Sequence, residues 1–167
     1  MPPISSEDFR DALRHFPAGV TIVTTRHGET VHGMTASAFT SVSPNPPLIL
    51  VCVDHRHTMH ELLSREDASF AVNILGEDQE ELSNRFAFTK DVDRFATATW
   101  EKAATGSPVL ADAVAWLDCR VHNTLAAGTH TIYVGEVLAS RVVREGGDPL
   151  LYWNQGYRRL AAPEQKG

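Results

Sequence analysis

Two long β-rich runs, Ala115 to Leu125 and Thr131 to Val143, are separated only by Ala126-Ala-Gly-Thr-His130. So short a link cannot carry the crossover that parallel strands need, so the runs must fold back on each other as an antiparallel hairpin. The rest of the chain follows suit. Val20 to Thr25 is rich in β-branched residues, and His27-Gly28-Glu29 makes a turn into a second run, Val31 to Ala36. Leu48 to Val53 is apolar throughout and reads as a strand buried on both faces. Ser69 to Leu75 alternates, and Leu150 to Trp153 makes a short final strand. Six or seven strands with hairpin connections predict a mainly β fold, an antiparallel barrel or sandwich.

The helices are short and peripheral. Ser5 or Ser6 caps the first, Glu7 and Asp8 suit its positive end, and Phe9, Ala12, Leu13 and Phe16 share one face. Pro17 and Gly19 stop it. Thr58-Met-His-Glu61 is a capping-box sequence that opens a second helix through Leu62 and Leu63. Asp78 with Glu81 caps a third, which carries Leu82 and Phe86. Phe88 to Thr105 shows no usable period, and the tail from Pro163 is polar and irregular. These helices are too few and too irregularly placed for alternating βαβ units.

Composition narrows the function classes. The 167 residues make one domain, with a core from about residue 6 to residue 160. A net charge of −6 argues against the clustered cations of a nucleic-acid-binding protein. The longest apolar run, Leu48 to Val53, is far short of the ~20 residues needed to cross a bilayer. The first residues have no apolar signal region, and Cys52 and Cys119 lie in apolar runs without a CxxC partner. Both cysteines read as core residues of a cytoplasmic protein.

Candidate chemistry is sparse. His55-x-His57-x-x-His60 spans a helix start and does not guarantee convergence, so these are read as loop histidines and no metal site is assigned. Neither a GxSxG elbow nor a glycine-rich phosphate loop is present. Gly33-Met-Thr-Ala-Ser-Ala-Phe-Thr-Ser-Val-Ser43 gathers hydroxyls and small residues after a strand. Such a stretch suits a phosphate or a polyol chain, and it also suits an ordinary strand edge. The helix start at Thr58 and the cation of Arg85 favour an anion, although plain capping and a surface ion pair explain them as well.

The ordered set of segments is more specific than any one. Phe9-Arg-x-Ala-Leu-Arg-x-Phe-Pro-x-Gly-Val-Thr-Ile-Val-Thr-Thr25, the Gly33 to Ser43 stretch, Pro46-Pro-Leu and Phe70-Ala-Val-Asn-Ile-Leu75 come first. Asp78-Gln79, Leu82-Ser-x-Arg-Phe86, Gly128-Thr-His130, Gly135-Glu-Val137 and Pro149-Leu-Leu-Tyr152 through Tyr157-Arg158 follow. Together they closely resemble the flavin reductase-like family of FMN-binding split barrels, which includes reductase components of two-component monooxygenases.

That resemblance implies a homodimeric Greek-key split barrel with flavin, FMN or FAD, near the dimer interface. It implies hydride transfer from NADH or NADPH to the flavin, and reduced flavin passed to a partner monooxygenase. Thr35, Ala36, Ser37, Ala38 and Phe39 would line the ring and ribityl chain, with Ser41 and Val42 beyond them. Ser37, Ser41, Thr58 and Arg85 become candidates for the phosphate end, with Val53, Asn73 and Phe86 lining the site and Tyr157 or Trp153 at its mouth. His130 would hold the nicotinamide side as the catalytic residue. Many relatives carry Gly-Asp-His where this chain has Gly128-Thr129-His130, so a carboxylate is replaced by a hydroxyl. Two rivals use the same residues: a flavoprotein that keeps its flavin and acts on another substrate, and a non-catalytic flavin- or haem-binding module.

Overall fold

The computed structural model describes residues 3–89 and 93–161. In chain order the elements begin α1 (Ser6–Leu13), β1 (Ala18–Gly19), β2 (Thr21–His27), β3 (Thr30–Ala36), β4 (Phe39–Pro44) and β5 (Pro47–Asp54). They continue α2 (Thr58–Leu63), β6 (Ser69–Ile74), α3 (Glu80–Phe88), β7 (Trp100–Lys102) and β8 (Pro108–Leu110). The long hairpin β9 (Ala115–Ala127) and β10 (His130–Val142) follows, then β11 (Leu151–Trp153) and β12 (Gly156–Arg158). The tail from Pro163 lies outside the described residues.

Seven strands form one sheet in the order β3-β2-β6-β9-β10-β5-β4, every pair antiparallel. Its edge strands, β3 and β4, are joined by only Ser37 and Ala38, so the two ends of the sheet meet there. The result is a barrel split between β3 and β4. The mainly β, split-barrel expectation holds.

One cluster fills the inside and another packs α3 onto the outer face of β2 and β3. The first packs Val23, Val51, Val53, Phe70, Val72 and Tyr133 against Met59 and Leu63 of α2, which plugs the barrel. The second joins Val20, Ile22, Leu75, Phe86 and Leu150. Two glycines permit this packing. A Cβ on Gly33 would stand 2.5 Å from the Phe86 ring, and one on Gly135 would stand 2.6 Å from Phe70. Gly33 therefore serves the seat of α3 on β3.

Several local expectations change. Ser5 does cap α1, accepting from the Asp8 amide at 3.0 Å. The face with Phe9, Leu13 and Phe16 is nevertheless exposed. Thr58 is the first residue of α2 and not its cap; His57 holds that place without a side-chain bond. Gln79 caps α3 by position, while Asp78 instead binds Arg144 at 2.9 Å. β5 alternates: Ile49, Val51 and Val53 are buried, whereas Leu48, Leu50 and Cys52 are half-buried on the outer face. The strand is apolar on both faces, but its own chain covers only one.

Candidate active site

The residues expected to bind a ligand fall into three groups. The first gathers at the split. The β2–β3 register ends at Ala36 and the β4–β5 register starts at Phe39, so Ser37 and Ala38 are exposed between them, although the Ala38 carbonyl still accepts from the Cys52 amide at 3.1 Å. Beside them a cleft of about 320 Å³ is lined by Thr35, Ser37, Ser83, Asn84 and Tyr157, with Val20, Phe88 and Tyr152 as apolar walls. Its polar wall is tied together. The Thr35 hydroxyl donates to the Ser83 carbonyl at 2.6 Å, and the Tyr157 hydroxyl donates to Asn84 Oδ1 at 2.9 Å. A phenol has one proton, so the 2.8 Å contact between Ser83 Oγ and Tyr157 Oη has Ser83 as donor. Tyr157 also meets Tyr152 edge to face, with ring centroids 5.5 Å apart.

The second group lies at the tip of the long hairpin. His130 is exposed beside the turn at Gly128, whose φ of +63° suits glycine. Its Nδ1 lies 3.0 Å from Thr129 Oγ1, and across the sheet it pairs with Asp54, the last residue of β5. Arg56 grips the Asp54 carboxylate through its side chain at 2.7 Å and its amide at 2.9 Å. That grip, with a smaller contribution from His130, holds Asp54 well below the usual carboxylate range. His55 and the exposed Thr58 follow directly. Nearby, burial and then the charges of Arg94 and His57 push His32 below the ordinary imidazole value.

The remaining residues are scattered. Ser41 and Val42 are exposed on β4 at a register shift. Arg85 opens into a separate cleft of about 260 Å³ with Asp78, Thr97 and Asp112. Ala36, Val53 and Phe86 are buried, and Phe39 packs partly against the first core cluster. Asn73 is fully buried, and its amide is spent on the fold. It donates to the Ile22 carbonyl and to Thr24 Oγ1 at 3.0 and 3.2 Å, and accepts from the Leu110 amide at 2.7 Å. Trp153 donates to the His15 carbonyl at 3.2 Å and fixes the end of the α1 segment to β11.

Sequence reasoning missed Ser83, Asn84 and Tyr152 as wall residues. Ser83 and Asn84 sit within Leu82-Ser-Asn-Arg-Phe86, one turn before Ala87 and Phe88, so the helical period was the signal available.

The model of the flavin reductase like domain matches residues 13–161. The chain belongs to the flavin reductase-like family. A flavin reductase (NADH) of Kitasatospora aureofaciens is 42% identical over 166 residues, covering 96% of this chain and 85% of its own length. The reductase component of a 4-nitrophenol 4-monooxygenase/4-nitrocatechol 2-monooxygenase of Rhodococcus opacus is 41% identical, covering 90% of this chain and 79% of its own. Among solved structures, the Streptomyces globisporus NADH:FAD oxidoreductase SgcE6, in complex with NAD and FAD fragments, superimposes with a TM-score of 0.88. It is 36% identical, covering 99% of this chain and 100% of that one. For a flavin reductase-like chain the split cleft is the notable feature, because it sets hydroxyls and exposed backbone beside aromatic walls.

Proposed function

We propose that this chain is an NAD(P)H-dependent flavin reductase that hands reduced FMN or FAD to a separate monooxygenase. The observation that carries the reading is the cleft at the split. A flavin needs a flat apolar slot and hydrogen-bonding groups along its polyol chain, and the cleft supplies both. Thr35, Ser37 and Tyr157 would hold it, with Ala36, Ala38 and Phe39 along the edge. Ser41, Thr58 and Arg85 are left for the phosphate end, outside the cleft that takes the ring.

When bound, the flavin supplies the two-electron acceptor. The protein's share is placement. Val20, Phe88 and Tyr152 would give the ring an apolar surface to lie against. The exposed Ser37 hydroxyl and the amides of Ser37 and Ala38 would offer donors where the accepting ring gains negative charge. His130, at the hairpin tip, would hold the nicotinamide side and limit its freedom there.

The reading includes a homodimer. Leu48, Leu50 and Cys52 of β5 lie beside Ile132 and Val134 of β10 on one outer sheet face, and all five are half-buried. Val42 and Leu125 extend that face and are exposed. A second copy covering it would explain why β5 is apolar on both sides. The cytoplasm suits two unpaired cysteines and a reaction fed by reduced nicotinamides. Among the described residues, no helix is long and apolar enough to cross a membrane.

The test is NADH and NADPH oxidation by the purified protein, with and without added FMN or FAD. Turnover that rises with free flavin is expected. Full turnover without added flavin would favour the rival that keeps its flavin, and no turnover in either case would favour a binding module.

A further inference from the structure

At the barrel mouth, His55 grips the turn that carries His130 from both sides. Its amide donates to the Thr129 carbonyl at 3.0 Å, and its ring Nε2 lies 3.1 Å from Thr131 Oγ1. Thr129 precedes His130 and Thr131 follows it. The same ring rests on His60 of α2, with centroids 4.7 Å apart. His60 is itself fixed: its Nδ1 is 2.7 Å from the hydroxyl of the fully buried Tyr133, which also meets Ser64 Oγ at 2.8 Å. The contacts thus run from the core through α2 to His55, and from His55 to the hairpin tip.

The cross-strand pair His130–Asp54 is the last of the β5–β10 ladder, and both faces of the tip beyond it are open. A side chain on such a tip keeps its place only through added contacts. We infer that His55 is a positioning residue for the reductase reaction: it fixes His130 relative to the first turn of α2 and so sets how the nicotinamide meets the flavin. This rests on the role proposed for His130. The Thr129 and Thr131 contacts set the position of the tip, and the His60 contact refers that position to the element that carries Thr58. Hydride transfer is sensitive to such placement, since an error of about 1 Å can cost about a hundredfold in rate.

The test compares His55→Ala, His55→Gln, Thr131→Val, the double variant His55→Ala/Thr131→Val and His130→Ala, with NADH and FMN as the probes. His55→Ala and Thr131→Val should each lower kcat about tenfold, with Tm within about 2 °C of the parent. The double variant should lose little more than either alone, because both remove one contact. A glutamine nitrogen can take the place of Nε2, so His55→Gln should restore most of the rate. If His130→Ala is impaired while His55→Ala and Thr131→Val stay within twofold of the parent, the inference falls and the role of His130 stands. If His130→Ala matches the parent, both fall together. Thr131→Val decides the matter alone should His55→Ala fail to fold.

Discussion

The two faces of the barrel wall are both apolar and are used differently. On the inner face Ile49, Val51 and Val53 are buried against Phe70, Val72 and Tyr133. Opposite Phe70, Val72 and Cys119, the outer face of β6 and β9 is roofed by β8 and the Thr105 turn: Asn73 makes three bonds there, and the carboxylate of Asp118 accepts from Thr105 twice, at 2.6 and 2.8 Å. On the outer face of β5 and β10, Leu50 and Cys52 lie beside Val134 and Ile132 and are only half-buried. The inner face serves folding. The outer face of β5 and β10 is spare, and the candidate chemistry sits where the faces meet, at the split and at the mouth. Burial that a monomer completes belongs to stability, and apolar surface that it leaves open belongs to assembly.

The largest effect should come from placing a charge on each face in turn. Val51→Asp should abolish folding, because an unpaired carboxylate in the core has no partner. Leu50→Asp with Val134→Asp should fold, but run as a monomer in light scattering and lose about a hundredfold in flavin reductase rate. A folded variant that stays dimeric would break the distinction between the faces.

A smaller effect is expected at the split. Tyr157→Phe strips the hydroxyl shared by Ser83 and Asn84 and leaves both groups half-matched in the cleft. The KM for flavin should rise about fivefold, in keeping with ~1 kcal/mol for one such bond. Circular dichroism should show the fold intact.

The two cysteines give the finest contrast. Burial, then the nearby Asp118 charge, pushes the inner Cys119 thiol up to about 12, and burial raises the outer Cys52 less far. An unfolded thiol ionises first, so between its ordinary 9.0 and about 12 the unfolded chain binds fewer protons than the native one. Stability held below pH 9 should therefore fall as pH rises through that window. Thermal melts of Cys119→Ala should show a clearly shallower alkaline fall than the parent, and Cys52→Ala a smaller change in the same direction.

Much of the wall was legible because it follows from local pattern. The link Ala126 to His130 forced the β9–β10 hairpin, and the β-branched run at Val20 and the alternation at Ser69 placed β2 and β6. What local pattern could not carry was which face faces what. The apolar stripe of Phe9, Leu13 and Phe16 has the spacing of a buried face, yet it stays exposed. Asn73, named as a site residue, is consumed by the Ile22, Thr24 and Leu110 groups, which lie far from it in sequence. Thr35, Ser37 and Tyr157 do share a cleft, while Arg85 faces away across α3. Periodicity gives a residue's side of its own element, and only the packing of α3 on β3 decides which sides meet.

The most direct measurement mixes the protein without oxygen with NADH or NADPH against riboflavin, FMN and FAD, following flavin bleaching and nicotinamide oxidation together. The account predicts one flavin reduced per nicotinamide oxidised, in catalytic excess over protein, with at least one of FMN and FAD. Nicotinamide left unoxidised with every flavin, or oxidised without flavin bleaching, would contradict it.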